Sequence, residues 1–412
     1  MSPTLKKILL IVGFILISAL IAWGLYYLFI KTAPLIEKIT APPTGLITPG
    51  QLPTAGERAP GAPGEMVTPT AGGLPTAGVI PGAPAGGGFY QPVPVEKVSQ
   101  DYAVYPSLNQ SGAYRYHNAA DGKFYKIGPD GALKELDDRA FYNVTNVTWA
   151  KSKDKAVIEF PDKSKIVYDF EQKKQATLPQ HWENFSFSPD AEQIAAKAIG
   201  LSPENRWLVT TNDDGGGTKI IEPMGENADK VQIDWSPNRQ VVGFARTADP
   251  IGGDRQQILL VGLNHENFKA LTVEGLDFRP QWSPTGQKLL YSVYSQRSNL
   301  KPELWVVNAY GDKINSGRQA LQLNTWAEKC SFADDNTLYC AVPKELPEGA
   351  GLSPEIARDA VDNLYKIDLR TGLKTNIPLG GDYAINNISF DASGKKIFFT
   401  DANKTGVFEA KL

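Results

Sequence analysis

The chain has almost no cysteine, two residues in 412, and only three histidines. That scarcity excludes a disulfide-stapled scaffold and a cysteine-built zinc module, which need several such residues at short spacing. No Gly-x-Ser-x-Gly elbow, His-Glu-x-x-His pair, phosphate-cradling Gly-Lys loop or Cys-x-x-Cys pair occurs. The signatures of common nucleophilic, metalloprotease, nucleotide-binding and dithiol chemistry are therefore missing. A dominant charge is missing too: 42 Lys and Arg face 45 Asp and Glu, a net of −3. So weak a field does not gather nucleic acid. His117, His181 and His265 are far apart in the chain, and neither a metal nor a cofactor is expected from them. The Asp213-Asp214-Gly215-Gly216-Gly217 run reads as a flexible hairpin tip, with a calcium loop as the lesser alternative.

What the chain does have begins with one uninterrupted apolar run, Ile8 to Ile30. As a helix it rises ~35 Å, enough to cross a hydrocarbon core of ~30 Å. Trp23, Tyr26 and Tyr27 gather toward one end, where amphipathic rings favour the lipid–water boundary. The run is too long for a signal-peptide core and lacks a small-x-small cleavage site, so an uncleaved anchor is expected. Lys6 and Lys7 precede it, which favours a cytoplasmic N-terminus and an extracytoplasmic body. Residues 1–31 are then a stub and transmembrane helix. Residues 32–89, rich in Pro, Gly, Ala and Thr, form a disordered linker with too few large apolar side chains to offset ordering entropy.

From about residue 90 to 412 one pattern returns: an apolar strand ending in a large apolar residue, a Ser-Pro-x-Gly-like turn, then a second apolar strand. Trp282-Ser283-Pro284-Thr285-Gly286 and Trp235-Ser236-Pro237-Asn238 are the clearest copies, followed by Phe187-Ser188-Pro189-Asp190. Leu108, Trp149, Phe332 and Phe390 head weaker ones, and successive key positions are 38 to 58 residues apart. That period suits four-stranded propeller blades, in which a ring of small twisted sheets buries faces that no single sheet can bury alone. The expected fold is all-β: a single propeller of about seven blades, with six as the alternative. The last copy stops one strand short, and Val93 to Val98 is apolar enough to supply the missing outer strand. Within the Phe332 unit a turn at Asp334 to Asn336 puts Cys330 opposite Cys340, close enough for a disulfide, two buried thiols being the alternative.

The Trp235 and Trp282 copies resemble the TolB-type propeller repeat, a relative of the WD-type blade whose core is Trp-Ser-Pro-Asp-Gly before an apolar strand. The resemblance implies the fold and says little about function. Long polar loops, Gly200 to Asn205, Thr247 to Gln256, Ser295 to Pro302 and Lys344 to Asn363, should emerge together on the face opposite the hairpins. A short helix is expected in the last, capped by Ser353. On that face His181, Trp182, Arg206, Arg255, Arg279, Arg297, Trp326 and Tyr383 form a candidate partner-binding set of aromatics and guanidiniums. Lys151, Lys153, Lys155, Lys173 and Lys174 are candidates for a cationic rim facing the membrane, or for a merely solvated edge.

With no catalytic residues assigned, the expectation is a non-enzymatic, membrane-anchored bacterial propeller that binds an envelope protein or glycan. The alternatives are a propeller hydrolase or lyase with carboxylates in its central channel, or a relict of a prolyl-oligopeptidase-type propeller.

Overall fold

The Ser-Pro-x-Gly segments govern the local geometry. In the computed structural model each is a tight turn whose first residue accepts a hydrogen bond from the backbone N–H three positions on: Ser188 from Ala191, Ser236 from Arg239 and Ser283 from Gly286, all 2.9 Å. The serine hydroxyl then receives the N–H that opens the next strand, from Gln193, Val241 and Lys288 at 2.9, 2.9 and 3.0 Å. The fourth residue sits in the left-handed region, φ +72° at Gly286, which explains glycine in the best-formed copy. The turn chemistry thus fixes where these three inner hairpins reverse.

The structure describes residues 16, 17, 20 and 23, and residues 91–412 other than 249, 250, 253 and 267. The apolar run and the 32–89 linker lie almost wholly outside these. Among the described residues no helix is long and apolar enough to cross a membrane. The chain divides into Met1–Pro84 and Ala85–Leu412, and the second unit is a propeller of seven four-stranded sheets.

Blade 1 runs from Ala103 to Glu135, blade 2 from Asn146 to Leu178, blade 3 from Trp182 to Pro223 and blade 4 from Val231 to Val273. Blade 5 spans Leu276 to Ala320 and blade 6 Cys330 to Ile377. Blade 7 takes three strands from the C-terminus, Ile385–Asp391, Lys396–Asp401 and Val407–Lys411, and its outermost strand, Val95–Ser99, from the start of the domain. Val95 faces Ala410 and Lys97 faces Phe408 in an antiparallel register. The ring is therefore closed by joining both ends of the domain, and Val95 begins on the hairpin side.

Each blade interface has its own apolar cluster. Phe244 and Trp282 stack 5.5 Å apart between blades 4 and 5, and Tyr114 and Phe398 stack at 5.0 Å between blades 1 and 7. Aromatic pairs of this kind add to the area term. In blade 6, Cys330 pairs with Cys340 in register, their Cα atoms 4.1 Å apart and their sulfurs bonded. The long loop of that blade holds a single 3-10 turn, Pro354–Ala357, and Ser353 gives it no side-chain cap. The short helix thus stands where the sequence suggested, with Pro354 in its first turn, and only the Ser353 side-chain cap is not formed.

Candidate functional site

The seven innermost strands surround a central cavity of about 560 Å³. One position recurs on its wall in every blade, immediately before the large apolar residue of the repeat. Blades 1, 2 and 3 place Ser107, Thr148 and Ser186 there, and blades 6 and 7 place Ser331 and Ser389. Blade 5 has Gln281 and blade 4 has Asp234. All seven are half-buried. A propeller repeat superposes equivalent positions around the axis, so residues about 40 to 60 apart in sequence become one polar ring.

Several ring members join one blade to the next. Ser186 Oγ accepts the Trp235 N–H at 2.9 Å, Ser331 Oγ accepts the Phe390 N–H at 3.0 Å, and Gln281 Nε2 donates to the Cys330 carbonyl at 3.2 Å. Asp234 makes no such bond. Its carboxylate has no hydrogen-bond partner among the described residues, although its own backbone N–H donates to the Val242 carbonyl at 3.2 Å. Part of its surface gives onto the cavity, yet surrounding protein strips enough water to push its pKa from the ordinary 3.8 up to about 6, with the Lys151 ammonium opposing part of the rise. It is the one ring member that titrates, and it is poised near neutrality.

Lys151 lies on the cavity wall at the hairpin end. Its carbonyl accepts the Gln110 N–H at 2.9 Å, which ties that turn to blade 1. At the other end, Glu328 is held by Arg279 at 2.6 Å, and Arg279 also reaches Asp277 at 2.8 Å. The buried amide oxygens Gln281 Oε1 and Asn387 Oδ1, both on cavity-lining residues, have no partner among the described residues.

The proposed partner-binding residues divide into two groups. Trp182 is buried between blades 2 and 3, and Trp326 packs under the long loop of blade 6 against Ala350 and Ala357. Tyr383 lies edge-on to Phe399 and Phe408, with the Lys404 ammonium 4.0 Å above its ring. Those three aromatics serve packing. His181 is exposed, and Arg206 turns back to the Gly200 carbonyl at 3.4 Å. Arg255 and Arg297 do converge, on Glu274 at 3.1 and 3.6 Å, where Arg318 joins them at 2.9 Å.

The candidate cationic rim does not assemble. Lys155 is buried with Asp169 and Asp213, Lys153 binds Glu192 at 2.6 Å and Lys173 binds Asp138 at 3.3 Å. The Asp213–Gly217 run is a hairpin tip closed by Gly216 N–H donating to Asp214 at 2.8 Å. Among the described residues no three His, Cys, Asp or Glu side chains converge to hold a metal.

No family model matches the chain, and no curated protein matches it in sequence. Solved structures do match in fold. The β-propeller domain of Myceliophteria thermophila Cps50 (Swd1) superposes with a TM-score of 0.52 at 10% identity, over 77% of this chain and 99% of that one. An oligogalacturonate lyase in complex with manganese gives 0.53 at 13% identity, over 77% and 93%. The β-propeller domain of the trilobed protease from Pyrococcus furiosus gives 0.49 at 12% identity, over 75% and 93%.

The first two of these likenesses establish the fold, and the second corrects one expectation. A propeller of this architecture carries a lyase, so the lack of familiar catalytic motifs is no ground for a non-enzymatic assignment. That assignment does not stand. The manganese named for the lyase finds no set of three such ligands among the described residues here.

Proposed function

We propose that the protein is a glycan-cleaving enzyme, a hydrolase or lyase, that works at the cell envelope with Asp234 as its proton-transferring residue. One observation carries the reading: a single carboxylate without hydrogen-bond partners among the described residues, lifted to about 6, on the wall of the central cavity. A general base is most effective when its pKa lies close to the working pH, and burial is how a carboxylate reaches that range. The other ring positions supply neutral hydroxyl and amide groups, and the unpartnered oxygens of Gln281 and Asn387 suit a ligand rich in hydroxyl donors.

The apolar run Ile8–Ile30 supports anchorage in a membrane, and the bonded pair Cys330–Cys340 supports an oxidising compartment outside the cytoplasm. Envelope glycan is then the polymer within reach of the tethered domain. The test is turnover by the full-length chain in detergent against a panel of envelope polysaccharides, with Asp234→Asn as the control. Release of new chain ends by the wild type and a loss of at least about 100-fold in the variant are expected. Equal release by both would refute the assignment of Asp234.

A further inference from the structure

We infer that the channel acts on a uronate-bearing sugar chain by β-elimination, with Asp234 as the base and Lys151 holding the sugar carboxylate. This rests on the reading of Asp234 as the reacting group and goes further, naming the reaction and the substrate class. Hydrolysis of a glycosidic bond ordinarily takes two carboxyl groups flanking that bond, one as acid and one as base or nucleophile. The ring provides one. The other carboxylate on the described cavity wall, Glu328, is held by Arg279 at 2.6 Å and stands just before the start of the innermost strand of blade 6, at the opposite end from Lys151.

What accompanies Asp234 is a cation whose charge is open. Lys151 has no hydrogen bond or ion pair from its ammonium to any described residue. The acid of its own hairpin, Asp154, is already shared by Arg115 at 3.3 Å, Lys126 at 2.8 Å and the Asn109 amide at 3.2 Å. The neighbouring lysines are equally committed, Lys153 to Glu192 and Lys155 to Asp169 and Asp213. Lys151, exposed and on the cavity wall, is the lysine of that turn without a described partner, and its charge acts on the titration of Asp234. A base and a cation on one cavity wall suit the removal of a proton next to a carboxylate. Negative charge then develops on the carboxylate oxygens, where an ammonium that pairs with them stabilises it.

The step balances without a co-reactant. Asp234 takes the proton from the carbon bearing the uronate carboxylate, and the electron pair of that C–H bond becomes a carbon–carbon double bond. The glycosidic C–O bond at the adjacent carbon breaks, and the leaving oxygen takes a proton, returned from Asp234 directly or through water, to become a hydroxyl. One fragment ends in an unsaturated uronate and the other in an ordinary sugar. A neutral sugar has neither the acidified C–H bond nor the carboxylate for Lys151 to hold.

The experiment incubates the full-length chain with oligogalacturonate, oligomannuronate, a sulfated glycan and a neutral glucan. Each reaction is followed by new reducing ends and by the ultraviolet absorbance of the conjugated double bond. Absorbance should rise with a uronate chain alone. Lys151→Gln should lower kcat/KM on that chain at least about tenfold, and Lys151→Arg should recover part of it. Reducing ends without absorbance, or cleavage of the neutral glucan, would overturn elimination and leave channel cleavage by Asp234 standing. Full activity of Lys151→Gln on the uronate would overturn the role of the lysine alone. No cleavage of any chain would overturn both readings.

Discussion

Replacing Asp234 by asparagine should make the protein more stable, and only above the acid range. The folded state raises this carboxyl from 3.8 to about 6, so the native protein holds the proton more tightly than the unfolded chain does. Stability therefore falls as pH rises through that window: the contribution is intact below about pH 4 and fully lost above about pH 7. The native carboxyl binds its proton roughly a hundredfold more tightly, and at about 1.4 kcal/mol for each factor of ten this amounts to about 3 kcal/mol at most, reduced to the extent that cavity water screens the charge. With an unfolding entropy of about 2.1 cal/mol/K per residue over roughly 320 ordered residues, this corresponds to about 4 °C. Differential scanning calorimetry of wild type and Asp234→Asn at pH 4 and pH 8 measures it. The variant should match the wild type at pH 4 and melt a few degrees higher at pH 8. Parallel melting curves at both pH values would refute a carboxyl titrating in that interval. A stabilising substitution on a channel wall is also what a residue kept for chemistry would show.

Other perturbations test the scaffold. Arg115 is fully buried, donates to the Lys153 and Ala150 carbonyls at 2.7 and 2.8 Å, pairs with Asp154 and stacks 4.6 Å from Trp149; Arg115→Met should cost about 3–5 kcal/mol in urea unfolding, and a loss below about 1 kcal/mol would contradict its role. Cys330 and Cys340 close a short loop of sequence separation 10, so reduction should lower stability by about 2–3 kcal/mol, read as a shift in the denaturation midpoint with and without reductant. Removing residues 91–99 strips the outer strand from blade 7. Amide exchange across Val407–Lys411 should then accelerate at least about tenfold, and unchanged protection would mean that the ring closes otherwise.

The fold was legible because its signals are local. Ser-Pro-x-Gly-like turns write the reversal of three inner hairpins into four consecutive residues, and the large apolar residue before each of the seven turns, from Leu108 to Phe390, marks the end or inner turn of the first strand. The closing strand was legible from a shortage, three strands where four are needed. Asp234 was not. Its meaning lies in comparison with Ser186, Gln281 and the other equivalents, which become neighbours only when the ring closes. The signal was present as an acid at a position otherwise hydroxyl or amide, one residue before the motif's aromatic. Trp182 and Trp326 show the converse. Their chemistry suits an interface, but a large apolar surface is equally suited to filling the gap between sheets, and sequence does not say which way a ring points. Arg255 and Arg297 both reach Glu274, which lies in the connection between blades 4 and 5.

The central claim is that Asp234 moves a proton in the channel, and the pH dependence of kcat/KM on an oligouronate tests it most directly. The account predicts that the rate climbs with unit slope as pH rises toward about 6 and then levels off, and that Asp234→Asn abolishes that limb together with turnover. A variant that cleaves at the wild-type rate with the same profile would contradict it.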